Sequence, residues 1–250
     1  MQTHDPARQL HIDALRGVAM VWMTCFHFCF DLNHFGILRA NFYDDPFWTV
    51  QRSVIVSLFL ACAGLGQAAA AQGGVTWPRF WKRWARIVGC ALLVSAGSYV
   101  MFPSSYIYFG ILHGMAVMVL LARLLAPCGP VACIGVAAGV YILNAVAPGA
   151  HALWPGLDIL DGRGWNWLGL ISHKPVTEDY APLVPWLGTL LLALALGLRW
   201  RPSPAFTRRL EAMPLARGLA LLGRWSLPYY MVHQPLLIGA VMLALQVHRG

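Results

Sequence analysis

The sequence predicts an all-α fold, a polytopic bundle of about seven membrane-spanning helices, and three observations carry that expectation. Of the 250 residues, 58% are hydrophobic and only 11% charged, too few charges to cover a soluble surface of this size. Mean hydropathy is +0.59. The apolar residues gather into seven stretches, most of them close to the ~20 residues that cross a bilayer core as a helix.

In chain order the stretches are 12–32, 53–71, 84–102, 106–122, 131–147, 181–198 and 226–247. The second carries no charge at all. Gly73-Gly74, Pro103-Ser104-Ser105 and Pro127-Cys128-Gly129-Pro130 punctuate the short connections, since glycine and proline interrupt helical hydrogen bonding. Two connections are long, 148–182 and 199–225. The whole of 1–250 reads as a single transmembrane domain. The opening Met1–Arg8 has an acid among its few charges and no small-residue cleavage site follows the first apolar stretch, so a removable signal peptide is not expected.

Charge sorts the connections by side. With the N-terminus cytoplasmic, 13 of the 18 Lys and Arg residues fall inside, and only Arg39, Arg52, Arg163, Lys174 and Arg249 fall outside. Asp44, Asp45, Asp158, Asp161, Glu178 and Asp179 are then all external. Seven spans put the C-terminus outside. The net charge of +8 is accounted for by this asymmetry, and no nucleic-acid partner is expected. The bilayer is the expected surrounding, specifically an inner (plasma) membrane, and a homodimer is left open. Six cysteines, at 25, 29, 62, 90, 128 and 133, lie in or beside the spans as small buried side chains, with no disulfide or zinc framework and no metal assigned.

The external connection 148–182 is rich in Trp, Gly and acids, which suits either an interfacial lid or an aromatic belt. The cytoplasmic connection 199–225 sets Leu210, Met213, Leu219, Leu221 and Leu222 among Arg208, Arg209, Arg217 and Arg224, as a basic amphipathic helix on an anionic leaflet does.

Function is sought among ionisable residues within the spans, because a titratable group in a membrane costs several kcal/mol and persists where it faces water or performs chemistry. Asp13, Arg16, Thr24, His27, Asp31 and His34 share a sector of roughly 80° on the first helix. Asp31 lies one turn above His27, a spacing at which a carboxylate can orient an imidazole general base. His34 is the competing histidine at the helix exit. His113, in Phe109-Gly-Ile-Leu-His113-Gly, is expected at about the same depth as His27, either catalytic or in a packing seam. The last span carries Ser226, Tyr229, Tyr230 and His233 within roughly 100° of arc, followed by Gln234 and the helix-breaking Pro235. Arg16, Arg86 and Arg224 sit at the cytoplasmic mouth, where they either hold phosphates or snorkel to headgroups.

Ile12-Asp-Ala-Leu-Arg-Gly17, His27 with Asp31, Leu58-Phe59 with Gly64, Phe109-Gly-Ile-Leu-His113, Asp179-Tyr-Ala-Pro-Leu-Val-Pro-Trp186 and Gly223-Arg-Trp-Ser-Leu-Pro-Tyr-Tyr-Met-Val-His233-Gln-Pro235 together make a pattern. Over about residues 8 to 240 it resembles the heparan-alpha-glucosaminide N-acetyltransferase catalytic-domain family. The resemblance implies a membrane acyltransferase that takes an acetyl group from cytosolic acetyl-CoA and delivers it across the membrane to an amine or hydroxyl of a sugar. It implies that the histidine near the end of span one handles the acetyl group, and that Ser226, Tyr230 and His233 shape a tunnel. The lysosomal member has Asn where His27 stands, so His27 and His34 remain alternatives.

The expected assignment is therefore His27, Asp31, His34 and His113 as catalytic residues and Arg16, Arg86, Arg224, Ser226, Tyr230 and His233 around acetyl-CoA. Asp179, Tyr180 and Trp186 are expected to contact the acceptor, an envelope sugar or glycan. Two other classes use the same residues: a haem protein ligated by His27 and His113, and a proton-coupled transporter with an ionisable relay.

Overall fold

A computed structural model describes residues 9–249, with side chains through Val247. Arg8, the side chain of Arg249 and the opening segment read for a signal peptide lie outside the described residues. Among those described there is no strand. The helices are α1 (Leu10–His34), α2 (Pro46–Gln72), α3 (Trp77–Met101), α4 (Ile111–Leu125), α5 (Gly129–Leu153), α6 (Leu183–Arg199), α7 (Pro204–Ala212), α8 (Pro214–Arg224) and α9 (Ser226–Arg249). Short 3-10 helices stand at Ala126–Cys128, Pro155–Asp161 and Asn166–Leu168.

Among the described residues, five helical runs are long and apolar enough to cross a membrane, and six if the bent pair α6 and α7 is one span. Two of the seven expected spans fall short of that length as single helices. Span four was read from 106, but the helix begins only at Ile111, leaving α4 with 15 residues, about 22 Å at 1.5 Å per residue and short of a ~30 Å core. It joins α5 through the 3-10 turn in a 43-residue apolar run, 111–153, that qualifies once. Likewise α6 has 17 residues, about 26 Å.

The chain forms two compact units, 9–59 with 202–250, and 60–201, with α2 contributing its first half to one and its remainder to the other. In the first unit α8 lies along α1 in the closest helix pairing there, and α9 also packs on α1. The pairing depends on two glycines. A Cβ on Gly17 would strike the backbone carbonyl of Leu219, and one on Gly223 would strike the carbonyl of Asp13. The face of α8 turned inward is small, with Ala216, Ala220 and Gly223 buried. Such small residues let helix backbones approach where lipid offers no hydrophobic drive for association. The 199–225 stretch is thus two helices rather than one surface helix, and α8 is docked by its small residues while Leu215 and Leu221 stay exposed. Met20, Met23, Phe26, Phe42 and Ile55 form a buried cluster, against which Leu222 of α8 and Tyr229 and Tyr230 of α9 also pack. Phe42 stacks on Trp48 at 4.0 Å between ring centres.

In the 60–201 unit, α5 packs chiefly against α6, and α4 against α3 and α6, while α4 and α5 scarcely touch. The tight contacts again fall at glycines. A Cβ on Gly64 would meet the Leu190 carbonyl, and Gly188 lies against the Tyr141 ring. Trp84 Nε1 donates to the carbonyl of Ala116 at 2.8 Å, tying α3 to α4. Outward faces carry large apolar residues such as Val100 and Val131, 80% and 81% exposed, as lipid-facing surfaces do.

Gly223→Ala therefore forces α8 off α1. It is expected to cost ~1–3 kcal/mol and to lower the thermal midpoint of the detergent-solubilised chain by several degrees. Gly218→Ala, whose Cβ would meet nothing within 4 Å, is expected to leave the midpoint unchanged or raise it, because Ala is the better helix former.

Candidate active site

Within the 9–59 and 202–250 unit, α1 and α9 bring a polar set together. The His27 and His233 rings meet edge to face, with centroids 5.3 Å apart. Tyr229 stacks on His233 at 6.0 Å, and Tyr230 lies 5.4 Å from it. Both follow from helical spacing: Tyr229 is i−4 and Tyr230 i−3 to His233, so they share its face. Thr24 Oγ1 donates to the carbonyl of Met20 at 2.8 Å and so accepts the Tyr229 hydroxyl at 2.7 Å.

Proton positions follow from the partners. His233 Nδ1 lies 2.7 Å from the carbonyl of Tyr230, which can only accept, so Nδ1 carries the proton and Nε2 holds a lone pair. That Nε2 is buried with no hydrogen-bond partner. Gln234 Nε2 donates to Asp31 Oδ1 at 2.6 Å, while Asp31 Oδ2 and Gln234 Oε1 are likewise buried and unpartnered. The site therefore holds three buried acceptor atoms and no donor for them. Leaving such atoms unmet costs ~1–3 kcal/mol each.

The expected pairing of Asp31 with His27 is not formed. Asp31 is 3% exposed and its one bonded oxygen is taken by the Gln234 amide. The i, i+4 spacing puts both side chains on one face of α1, but the amide from the neighbouring helix reaches the carboxylate instead. His34 lies exposed at the end of α1, its ring 5.3 Å from Phe35. Ser226 opens α9, half-buried.

Toward the other end of α1, Asp13 is buried between two guanidiniums. Arg16 Nη1 is 3.1 Å from its Oδ1 and Arg224 Nε 3.7 Å from its Oδ2. The close contact of Gly223 with the Asp13 carbonyl is what delivers Arg224 there. One carboxylate shared by two arginines leaves one positive charge uncompensated by this trio, together with N–H groups directed elsewhere. Arg86 is exposed on α3, in the 60–201 unit.

The remaining expected residues also belong to the 60–201 unit, where most have structural work. His113 Nδ1 accepts the Gly110 amide at 3.3 Å and Nε2 lies 3.0 Å from Ser95 Oγ, which itself donates to the carbonyl of Ile107 at 2.6 Å. Both ring nitrogens are engaged, so the ring ties Gly110 to Ser95 and has no unpartnered lone pair. Asp179 Oδ2 accepts the Ile111 amide at 2.8 Å. The N-cap residue of α4 is Gly110, which has no side chain to do this, and the carboxylate also suits the positive end of the helix. The Tyr180 hydroxyl donates to the Asn166 carbonyl at 2.5 Å. Burial pushes that phenol well above its usual range, with Tyr108 and Asp161 nearby adding to the effect. Trp186 is half-buried in the first turn of α6. A cavity of about 410 Å³ in this unit is lined by Ala71, Gln72, Trp77, Arg123, Ala126, Pro127 and Leu198, and no expected site residue borders it.

Two residues escaped the sequence reading. Gln234 was seen only as a neighbour of the helix break, though an amide beside a histidine inside a span is itself a costly polar group. Asn166, 1% exposed, donates to the Tyr108 hydroxyl at 2.8 Å and receives Tyr180. Nothing in a Trp-Asn-Trp loop signals that burial.

No curated protein and no solved structure matches the chain significantly. The family profile described as heparan-alpha-glucosaminide N-acetyltransferase, catalytic, matches residues 8–235. That span takes in α1 and the first part of α9, hence the whole polar set around His27 and His233. The chain thus belongs to the heparan-alpha-glucosaminide N-acetyltransferase catalytic-domain family, and is a membrane protein of acetyltransferase type.

Proposed function

We propose that the protein is a multi-pass inner-membrane acetyltransferase that moves an acetyl group from cytosolic acetyl-CoA to an amine or hydroxyl of an envelope sugar on the outer side. The observation that carries the reading is the trio of buried, unpartnered acceptor atoms beside His27: His233 Nε2, Asp31 Oδ2 and Gln234 Oε1. An incoming amine or hydroxyl brings the donors this site lacks. Family membership supplies the acetyl chemistry.

In this reading the N-terminus is cytoplasmic, and CoA phosphates bind at Arg16 and Arg224. Eleven residues separate Arg16 from His27, about 17 Å along α1, the stretch that the pantetheine arm follows. The acceptor N–H or O–H gives its proton to a histidine of the His27–His233 pair as its heteroatom attacks the thioester carbonyl. The C–S bond then breaks and CoA leaves as the thiol. His233 has the geometry of a base, since Nδ1–H is held by a backbone carbonyl and Nε2 is open. His27 stands against it as its partner in proton transfer. Asp31 fixes the Gln234 amide, which leaves the amide oxygen to orient the acceptor.

Transfer is measured with the purified chain in proteoliposomes, acetyl-CoA on the arginine side and glucosamine-type acceptors. His27→Ala and His233→Ala are each expected to lower kcat/KM by ~10²–10⁴-fold, His34→Ala to change it little and His113→Ala to lower thermal stability rather than turnover. Full activity in His27→Ala together with loss in His34→Ala would move the chemistry to the helix exit. No acetyl-CoA consumption by the wild-type chain with any amine or hydroxyl acceptor would reject the reading itself.

The donor mouth makes a separate prediction. Arg224→Ala is expected to raise KM for acetyl-CoA by ~10–100-fold, the worth of charge-assisted phosphate bonds, with kcat nearly unchanged. Arg86→Ala is expected to change neither constant. Equal effects of the two substitutions would remove Arg224 from the donor site.

A further inference from the structure

Beyond the acetyl-transfer reading, the 60–201 unit gathers a second set of side chains at the end of α5. His151 stands in the last turn of that helix, and Asp158 and Asp161 in the 3-10 helix that follows it. One potential ligand atom from each lies within 4.8 Å of the others. The His151 side chain is 6% exposed. Its Nε2 lies 3.1 Å from the carbonyl of Leu170, an acceptor only, so Nε2 carries the proton and Nδ1 holds the lone pair. That buried Nδ1 has no hydrogen-bond partner and faces Asp158 Oδ1 at 3.7 Å, too long for a hydrogen bond.

A lone pair turned toward two carboxylates is an unfavourable arrangement on its own and a favourable one around a cation. The second ring nitrogen donating to a backbone carbonyl is how a metal-bound histidine is held in tautomer and orientation. Asp161 is braced as well: Oδ1 accepts the Ser172 amide at 2.8 Å and Oδ2 the Ser172 hydroxyl at 2.7 Å. Burial alone pushes its pKa up, but the Ser172 bonds outweigh that, helped by His173 and His151, and hold the carboxyl below its usual range.

We propose that His151, Asp158 and Asp161 bind one divalent transition-metal ion, of the Zn²⁺ or Mn²⁺ class, which ties the 155–161 turn and, through Ser172, the 162–172 loop to the end of α5. The donor set decides the class. One imidazole with two carboxylates suits Zn²⁺ or Mn²⁺, whereas Ca²⁺ asks for six to eight oxygens and Mg²⁺ for octahedral oxygen. Three protein ligands leave further positions for water. The side chain of Asp158 is 71% exposed, so the ion has an entry path. The spacing of the three residues, i, i+7 and i+10, matches no familiar metal motif, which is why the sequence alone hid them.

The test uses the full chain in detergent, with any affinity tag removed, stripped with chelator and titrated in turn with Zn²⁺, Mn²⁺, Ca²⁺ and Mg²⁺ by calorimetry and thermal unfolding. The expected result is one Zn²⁺ or Mn²⁺ per chain and a midpoint raised by ~5–10 °C at a hundredfold excess over Kd. Binding is expected to be lost in His151→Gln and in Asp158→Asn. The Asp158 variant changes an exposed side chain and keeps the test sound if the His151 variant folds poorly. Mn²⁺ in particular separates this site from the six thiols. Absence of stoichiometric binding, binding unchanged in Asp158→Asn, or Ca²⁺ bound as tightly as Zn²⁺ would each overturn the proposal.

Discussion

Contact between the backbones of α1 and α8 is the constraint on which the α1-centred unit rests. Hydrocarbon solvates a leucine as well as a neighbouring helix does, so association must come from close packing and polar contacts. Gly17 and Gly223 supply the closeness, because at each the atom that a side chain would hit is a carbonyl of the facing helix, which cannot rotate aside. The same approach sets the electrostatics. Arg224 ends α8 directly after Gly223, and so it arrives at the buried Asp13, which Arg16 already holds from one turn away. A packing device at the backbone thereby fixes a charged trio at one end of α1. The helix then carries that register to His27 and Asp31 farther along.

Satisfaction of polar atoms separates the two intramembrane histidines that sequence position makes look alike. His113 and His233 each lie on an apolar helix near glycines or a proline. In His113 both nitrogens are used, one by an amide and the other by a serine hydroxyl, and the ring acts as a bolt joining Gly110 to Ser95. In His233 only Nδ1 is used, and its open nitrogen stands next to another imidazole. A bilayer interior penalises the second arrangement and not the first. The unmet acceptor thus separates two rings that burial and depth leave alike.

The sequence carried what depends on composition and helical period. The all-helical membrane class, the polar stripe on α1 and the polar face of α9 all follow from spacings within one helix, and each is found where that spacing puts it. What failed depends on partners from elsewhere in the chain. Asp31 was paired with His27 because they are one turn apart, but Gln234 on α9 takes the carboxylate. The cap of α4 by Asp179 likewise comes from far along the chain, where Gly110 has no side chain to supply it. Hydropathy also does not mark where a helix starts: α4 begins five residues later than its apolar stretch.

Glycine's two roles in the chain explain both the legible and the hidden parts of the site. At Gly110 the missing side chain creates a vacancy that the remote carboxylate of Asp179 fills, and a Cβ there would collide with it. At Gly223 the missing side chain removes an obstacle and brings a neighbouring residue to a partner. Neither effect can be read from the residue alone, since the sequence records only that a side chain is absent. Both positions fall within the matched stretch 8–235, in the motifs Phe109-Gly-Ile-Leu-His113 and Gly223-Arg-Trp-Ser of this chain. Each motif therefore carries a packing requirement alongside its chemistry. In the first motif packing accounts for every polar contact of its histidine. In the second, packing delivers an arginine while the histidine ten residues on keeps Nε2 unpartnered.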